Sequence, residues 1–300
     1  MAEPKPLIDL STQMADAAER ASAFVVQIRS GWRPTAGTVC LDEHVLVADH
    51  ALRHEEDLAV RAPDGRVLPA TLAGRDPSSA LALLRVPGLG VAPATLGASP
   101  RVGQLVLAIG RAFSGSVVAG LGVVSSIGGP WRSGRGPAVD EVIRTDATPY
   151  PGFAGGALVA ADGACVGIAT GILLRGLGLV IPTATAWPVA EMLARHGRVR
   201  RAFLGISGQP VRLPDSGQPG KHRRGILVVG VGDDSPARTA GLMIGDVLVA
   251  FNGHVVDEPE QLLALLTGDL IDHDVPVEIL RAGASQAVSI KLTERHQARE

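Results

Sequence analysis

The sequence predicts a mainly β protein in which a large β domain is followed by a smaller domain of helices and strands. First, short apolar runs from Phe24 to about Ala186 alternate with Gly, Pro and Asp-Gly turns, a pattern typical of a β-barrel or sandwich. Second, the length of 300 residues is sufficient for two domains. Third, 46% of the residues are hydrophobic and only 3% are aromatic, so Val, Leu, Ile and Ala must form the cores.

The domain boundaries follow from changes in this pattern. Apolar residues from Leu7 to Ala21 recur at helical spacing, which predicts an amphipathic helix packing on the first barrel. Trp187 to His196 reads as a second helix that closes the large domain. We therefore expect four segments: a helix at 1–22, the large β domain at 23–196, a linker at 197–202 and the second domain at 203–295.

Charge and composition exclude several classes of partner. The net charge of −2 argues against a dedicated nucleic-acid or anionic-membrane partner. An apolar run of about 18 residues, as a membrane span requires, is absent from the sequence. The first residues lack the basic start and apolar core of a signal peptide, and two distant cysteines make no disulfide framework. These features predict a cytoplasmic location.

The strongest functional signal is the glycine-rich segment Gly152-Phe153-Ala154-Gly155-Gly156. Loops of the form G-x-S-G-G turn tightly beneath an attacking serine hydroxyl, and backbone N–H groups at the first glycine and the serine position face the developing oxyanion. The segment precedes an apolar strand, as such a loop requires. The serine position is occupied by Ala154, so the loop is present without its nucleophile.

Two upstream segments complete the pattern. The apolar run from Val45 to Leu52 places His50 where the chain leaves a strand. A second apolar strand begins within the segment from Gly74 to Leu84, which contains Ala80. In the order His, Asp, Ser, these pieces resemble the HtrA-type bacterial proteases, and the resemblance covers nearly all of residues 21–295.

The resemblance implies a trypsin-like double six-stranded β-barrel followed by a PDZ domain. It places His50 at the general-base position, Ala80 at the aspartate position and Ala154 at the serine position, with Gly152 and Phe153 in the oxyanion loop. Two of the three catalytic side chains are therefore methyl groups. Loss of the aspartate alone typically costs about 10⁴-fold in turnover, and no neighbouring side chain can replace the hydroxyl. We expect no peptide hydrolysis.

Other chemistry is disfavoured by the sequence. His44, His50 and His54 lie close together, but the acidic run beside His54 is more simply a solvated loop than part of a metal site. Cys40 and Cys165 are typical small buried residues. We therefore expect neither a metal nor a cofactor.

The second domain carries a specific signature. The run from Ser235 to Leu248 resembles the S-P-A-x-x-A-G-L-x-x-G-D motif of PDZ domains, which capture peptide C-termini by adding the peptide to a sheet edge. The resemblance implies a helix from Glu258 to Thr267 facing that edge. The peptide-binding residues that it implies are Phe203, Leu204, Gly205, Ile206, Leu262 and Leu266.

Three hypotheses about function stay open. The chain is a pseudoprotease that binds unfolded proteins or apolar peptide C-termini as a chaperone or scaffold; or a quality-control serine endopeptidase altered to alanine at two catalytic positions; or a regulatory subunit of an active paralogue. Phe153 and Ala157 also depart from the family pattern, where Asn and Pro are common, and this drift favours the first. The family also implies a homo-oligomer, a trimer, in which the N-terminal helix could take part.

Overall fold

The structure, a computed structural model, describes residues 5–31, 35–52, 54–129, 131, 139, 141–147, 152–174, 176–213 and 224–294. The chain divides into two compact units, Met1–Val199 and Arg200–Glu300. The division falls inside the segment 197–202 that the sequence analysis assigned to a linker.

The first unit is mainly β, with one helix at each end. In chain order its elements are α1 (Lys5–Ser22), β1 (Val25–Arg29), β2 (Thr35–Leu41), β3 (His44–Ala48), a 3₁₀ turn (Asp49–Ala51), β4 (Ala59–Arg61), β5 (Val67–Pro69), β6 (Thr71–Asp76), β7 (Leu81–Arg85), β8 (Leu105–Arg111), β9 (Val117–Gly128), β10 (Val142–Thr145), β11 (Ala157–Ala160), β12 (Cys165–Leu174), β13 (Leu177–Pro182) and α2 (Thr183–His196).

The first sheet is a rolled antiparallel sheet with the strand order β5-β4-β1-β2-β3-β7-β6. Its two outer strands, β5 and β6, are consecutive in the chain and are separated only by Ala70. β5 and β6 therefore act as one strand that bends at Pro69–Ala70 and joins the two edges of the sheet. The ladder is interrupted there because proline lacks a backbone N–H. The expected six-stranded barrel is present, with one of its strands interrupted.

The second sheet closes through hydrogen bonds as a six-stranded barrel, β10-β13-β12-β11-β8-β9. Its inward-facing side chains form a separate apolar cluster, as the alternation of side chains along strands requires. The larger members of that cluster are Val106, Val124, Ile143, Phe153, Leu158, Val166 and Val180.

Helix α1 packs differently from the prediction. We expected it on the first barrel, but its main neighbours are β8 and β11 of the second barrel, with β1 as the only first-sheet strand among its main contacts in the described residues. Met14, Ala17 and Ala21 are buried on this side, and Arg20 Nε donates to the Asp162 carbonyl at 3.0 Å. The small alanine side chains let the helix approach the strands closely, and this contact could not be read from helical spacing alone.

The second unit contains a five-strand ladder flanked by short helices. Its elements are β14 (Ala202–Phe203), β15 (Ile206–Arg212), β16 (Arg224–Val231), α3 (Pro236–Thr239), β17 (Val247–Phe251), β18 (His254–Val255), α4 (Pro259–Leu265), a 3₁₀ turn (Gly268–Leu270), β19 (Asp274–Arg281), β20 (Ala284–Lys291) and β21 (Thr293–Glu294). The ladder runs β15-β16-β17-β19-β20, β18 pairs with β17, and β14 pairs with β21. Ser235 caps α3, accepting a hydrogen bond from the Arg238 N–H.

A buried ion pair between Asp246 and Arg281 braces the second unit. Asp246 is 2% exposed, and its two carboxylate oxygens accept from Arg281 Nε and Nη2, each at 2.7 Å. The Met243 N–H donates to the same carboxylate at 2.8 Å. The Arg281 hydrogen bond is the main cause that lowers the pKa of Asp246, and burial opposes it.

Replacing Asp246 with asparagine should therefore destabilise the second unit at pH 7 by about 1.5–3 kcal/mol, the range for hydrogen bonds to charged groups. Because the folded pKa lies below the unfolded value of about 3.9, the contribution is present above that value and is lost as the pH falls through the folded pKa. Calorimetry should show that the unfolding temperatures of the wild type and the variant converge at acidic pH. Asp233→Asn, at an exposed ion pair with Arg238, is the control; an equal loss there, or a gap that persists in acid, contradicts the assignment.

Candidate functional site

The loop at 152–156 has a backbone that only glycine fits at two positions. Gly152 has φ of +106° and Gly155 has φ of +83°, values that residues with a side chain rarely adopt. A side chain at Gly152 would collide with the Arg111 carbonyl oxygen, and one at Gly155 with the Ala36 carbonyl oxygen. The Gly155 N–H donates to the Ala169 carbonyl at 2.7 Å. The loop is therefore held closely between the two sheets of the first unit.

Ala154 lies at the centre of this loop and is fixed by its carbonyl group. That carbonyl accepts hydrogen bonds from the Ala36 N–H at 3.1 Å and from Thr35 Oγ1 at 2.5 Å. Thr38 Oγ1 donates to the adjacent Gly155 carbonyl at 3.0 Å. Strand β2 thus orients the loop, and the half-buried Ala154 presents a methyl group.

The two N–H groups assigned to an oxyanion hole are available. Within the described part of the chain, neither the Gly152 nor the Ala154 N–H donates to a protein acceptor. Both are backbone donors held by a fixed loop, the property that an anion-stabilising site requires.

His50 is placed beside the loop by the end of β3. The Val47 Cα and the Ala48 nitrogen would each lie 3.1 Å from a Cβ placed at Gly155, and the chain then enters the 3₁₀ turn that contains His50. The residue is solvent-exposed, yet partial burial of its ring lowers the pKa below the usual value, while the Asp49 carboxylate opposes this shift. This shift favours the neutral form of the imidazole.

Ala80 lies on the other side of the same turn. Its carbonyl accepts the Asp49 N–H at 2.9 Å, directly beside His50, and its side chain is buried. Its φ is +58°, a left-handed conformation that costs energy for alanine and that Asp and Asn adopt more readily. Position 80 thus contacts the turn that carries His50, and the strand before that turn passes beside Gly155 of the loop.

Phe153 has a role that the sequence analysis missed. We assigned it to the oxyanion loop, but its side chain is only 1% exposed and belongs to the second barrel's core. One ring atom lies 2.9 Å from where a Gly110 side chain would begin, so the ring fills space that this glycine leaves free. The aromatic ring holds the loop against the core of the second barrel. The sequence signal for this role was an apolar aromatic residue within a glycine-rich loop.

The sequence analysis also did not identify the role of Arg111. Arg111 is 7% exposed, and its guanidinium donates to the carbonyls of Val25 at 2.8 Å, Ser22 at 2.6 Å and Gly115 at 3.2 Å. Burial lowers its pKa. Its backbone N–H donates to the Gly152 carbonyl at 3.3 Å, so one residue ties the last turn of α1 to the loop. The sequence signal for this role was limited to the presence of a charged residue at the end of an apolar strand.

The second unit presents an open sheet edge. Among the residues that the structure describes, strand β15 pairs with β16 on one side only, and α4 is its neighbour across the groove. Gly205 precedes β15 with φ of +84°, and a side chain there would collide with the Ser235 side chain. Of the predicted peptide-binding residues, Leu204, Leu262 and Leu266 are mostly buried in the domain core, whereas Phe203 and Ile206 are half-buried.

Comparison with known proteins gives a consistent result. Residues 22–168 match the trypsin-like peptidase domain family, and residues 202–292 match the PDZ domain family. A serine endoprotease from Yersinia pestis has 29% identity and a TM-score of 0.79, with 94% of this chain and 98% of that chain covered. The HtrA-type protease AlgW with a decapeptide has 26% identity and a TM-score of 0.82, covering 95% and 99%. The chain belongs to the HtrA-type protease family.

Curated HtrA-type relatives are longer than this chain. A protein of Marinomonas sp. named "Probable periplasmic serine endoprotease DegP-like" is 33% identical over 278 residues, covering 89% of this chain and 59% of that protein. A protein of Ectopseudomonas mendocina with the same name is 33% identical, covering 85% and 55%. The chain therefore spans little more than half the length of these relatives.

The predicted cytoplasmic location is wrong, because these HtrA-type relatives are named as periplasmic proteins. Folded proteins of the two compartments can have the same net charge and cysteine count. These two properties therefore could not distinguish a periplasmic protein from a cytoplasmic one. Among the helices that the structure describes, none has the length and apolar character needed to cross a membrane.

Proposed function

We propose that this chain is a catalytically inactive HtrA-type protein that binds unfolded or C-terminal apolar peptides without cleaving them. The observation that carries the proposal is the methyl group of Ala154 at the centre of an otherwise complete loop. Acyl transfer needs a side-chain nucleophile at that position. The loop neighbours Phe153, Gly155 and Gly156 supply no side-chain heteroatom.

The other groups around the 152–156 loop suit peptide binding rather than catalysis. Partial burial lowers the pKa of His50, and alanine stands at the position from which an aspartate would orient its imidazole. The Gly152 and Ala154 N–H groups would donate hydrogen bonds to a peptide carbonyl, and an oxyanion hole with binding alone accelerates the reaction by about 10³–10⁴-fold over water in related enzymes. That residual acceleration is too small for a useful protease, so a bound peptide would be released intact.

The second unit supplies the other binding surface of the proposal. The N–H groups of the loop containing Gly205 would hold a peptide carboxylate, and the open edge of β15 would pair with the peptide backbone. Leu204, Ile206 and the α4 leucines would form the floor under an apolar terminal side chain. The structure of AlgW with a decapeptide gives a precedent for peptide binding in the family.

Fluorescence polarisation with a labelled peptide that ends in an apolar residue tests this function. Gly205→Glu should weaken binding at least about tenfold, because its side chain must displace Ser235 and its carboxylate would repel the peptide terminus. Gly283→Glu is the matched control, since Gly283 has φ of +82° and open space around it. Circular dichroism must show both variants folded. Failure of the wild-type chain to bind any peptide of a library with apolar C-termini would reject the proposal.

The proposed partners are unfolded proteins and peptide C-termini, held as by a chaperone or scaffold in protein quality control. We place this activity in the periplasm, together with the named relatives. A homo-oligomer, a trimer by the family resemblance, is part of the proposal. The exposed Leu7 and Ile8 of α1 support it by offering an apolar surface.

A second candidate function has one specific observation in its favour. The left-handed backbone at Ala80 is the conformation that an aspartate tolerates better than an alanine. This suits an endopeptidase scaffold in which alanines replaced the catalytic aspartate and serine. The restoration experiment described in the Discussion distinguishes a competent scaffold from one that has lost the catalytic geometry.

A further inference from the structure

The outer edge of β15 can be assigned residue by residue. Ile206 lies opposite Val231 in the pairing with β16, and the Gly232 N–H donates to the Gly205 carbonyl at 2.9 Å. In an antiparallel ladder, a bond between the residues flanking a pair identifies that pair as the type without mutual hydrogen bonds. The N–H and C=O of Ile206 therefore point away from β16, toward the groove.

The alternation continues along the strand. The register irregularity after Ser207 leaves the extra residue, Val229, on β16, so the bulge does not interrupt the alternation of β15. Gly208, Pro210 and Arg212 thus share the outward orientation of Ile206. This explains why a proline is tolerated in a paired strand: its missing N–H falls on the open edge and removes no bond to β16.

We propose that Pro210 limits the groove to the last few residues of a peptide C-terminus. This inference rests on the proposed peptide-binding function of the second unit. An antiparallel peptide whose terminal residue lies opposite Ile206 places its third residue from the end opposite Gly208. Its fifth residue from the end lies opposite Pro210, where the donor for the peptide carbonyl is missing. The sheet edge offers both donor and acceptor at Ile206 and Gly208, and only an acceptor at Pro210.

The ligand is consequently a short C-terminal segment, and upstream residues add little affinity. The fifth residue from the end keeps only one of its two backbone hydrogen bonds, so ordering it and the residues upstream costs entropy with less compensating pairing. The groove thus selects free chain ends over long extended segments. Such a site suits cleaved or truncated polypeptides that expose an apolar terminus.

Titration calorimetry on the full chain, with a four-residue peptide and an eight-residue peptide ending in the same four residues, tests this. For the wild type, the two Kd values should agree within about twofold. Pro210→Val restores the N–H with a residue that favours strands, and the longer peptide should then bind about three- to tenfold tighter than the shorter one, the effect of one hydrogen bond. The short peptide does not reach position 210, so its Kd should be the same for both chains and serves as the internal control.

The outcomes separate the two proposals. A gain of more than about threefold with length in the wild type, or equal affinities for both lengths in Pro210→Val, overturns the role of Pro210 while leaving peptide binding intact. If neither peptide binds to either chain, the peptide-binding function itself fails, and the role of Pro210 fails with it.

Discussion

Replacing Ala80 with aspartate and Ala154 with serine in one variant should create casein hydrolysis, which we propose that the unaltered chain lacks. The loop already has its two glycine conformations, its Gly152 and Ala154 N–H groups have no acceptor among the described residues, and the strand that leads to His50 passes beside it. Disabling such a triad typically costs about 10⁴–10⁶-fold in turnover. We therefore expect the double variant to exceed the unaltered chain by at least about 10³-fold in a fluorogenic-casein assay.

The single variants make the test specific. Ala154→Ser alone should stay near the background, because loss of the orienting aspartate costs about 10⁴-fold by itself. Adding His50→Ala to the double variant should abolish the activity. Ala80→Asp should fold readily, since φ of +58° at this position suits aspartate better than alanine.

Two results would change the interpretation. Hydrolysis by the unaltered chain that disappears with His50→Ala would show that the pseudoprotease proposal is wrong. A folded double variant that still binds peptide but cleaves nothing would show that the loop has lost catalytic geometry, which would reject the altered-endopeptidase alternative.

Replacing Phe153 with alanine should lower the free energy of unfolding of the first unit by about 3–5 kcal/mol, the usual cost of emptying a buried aromatic site. The ring is 1% exposed in the second barrel's core, and the loop above it has no space to collapse, because Gly152 and Gly155 are already in contact with backbone carbonyls. Phe153→Leu should cost less, since it leaves a smaller cavity.

Urea titration followed by tryptophan fluorescence measures this change selectively. The tryptophans, Trp32, Trp131 and Trp187, all fall within the first unit. Phe113→Ala is the matched control, because Phe113 is 79% exposed and its loss should change stability by no more than about 0.5 kcal/mol. A Phe153→Ala midpoint equal to that of Phe113→Ala would contradict the anchoring role of the ring.

Much of the fold and of the candidate site could be predicted from local sequence signals. The glycines of the 152–156 loop and the Ser235 cap are recognisable because each requires a particular residue at a particular backbone conformation. Helix α2 was predicted at 187–196 and spans Thr183–His196, and α4 was predicted at 258–267 and spans Pro259–Leu265. These elements depend on short-range chemistry, which leaves its pattern in neighbouring residues.

Contacts between distant segments could not be predicted in this way. The packing of α1 on the second barrel, the core position of Phe153 and the three carbonyls that surround Arg111 depend on which apolar surfaces meet after folding. The same holds for Pro210, whose missing N–H becomes meaningful only once the register with β16 is known.

The sequence by itself determined that this is a β-rich HtrA-type chain with alanine at two catalytic positions, because residue identity alone decides whether a nucleophile exists. The tertiary structure decided how that site is supported and which strand edge stays open. Those properties arise from long-range packing and hydrogen-bond register, which bring together residues such as Asp49 and Ala80, or Ala36 and Ala154, that are far apart in the chain.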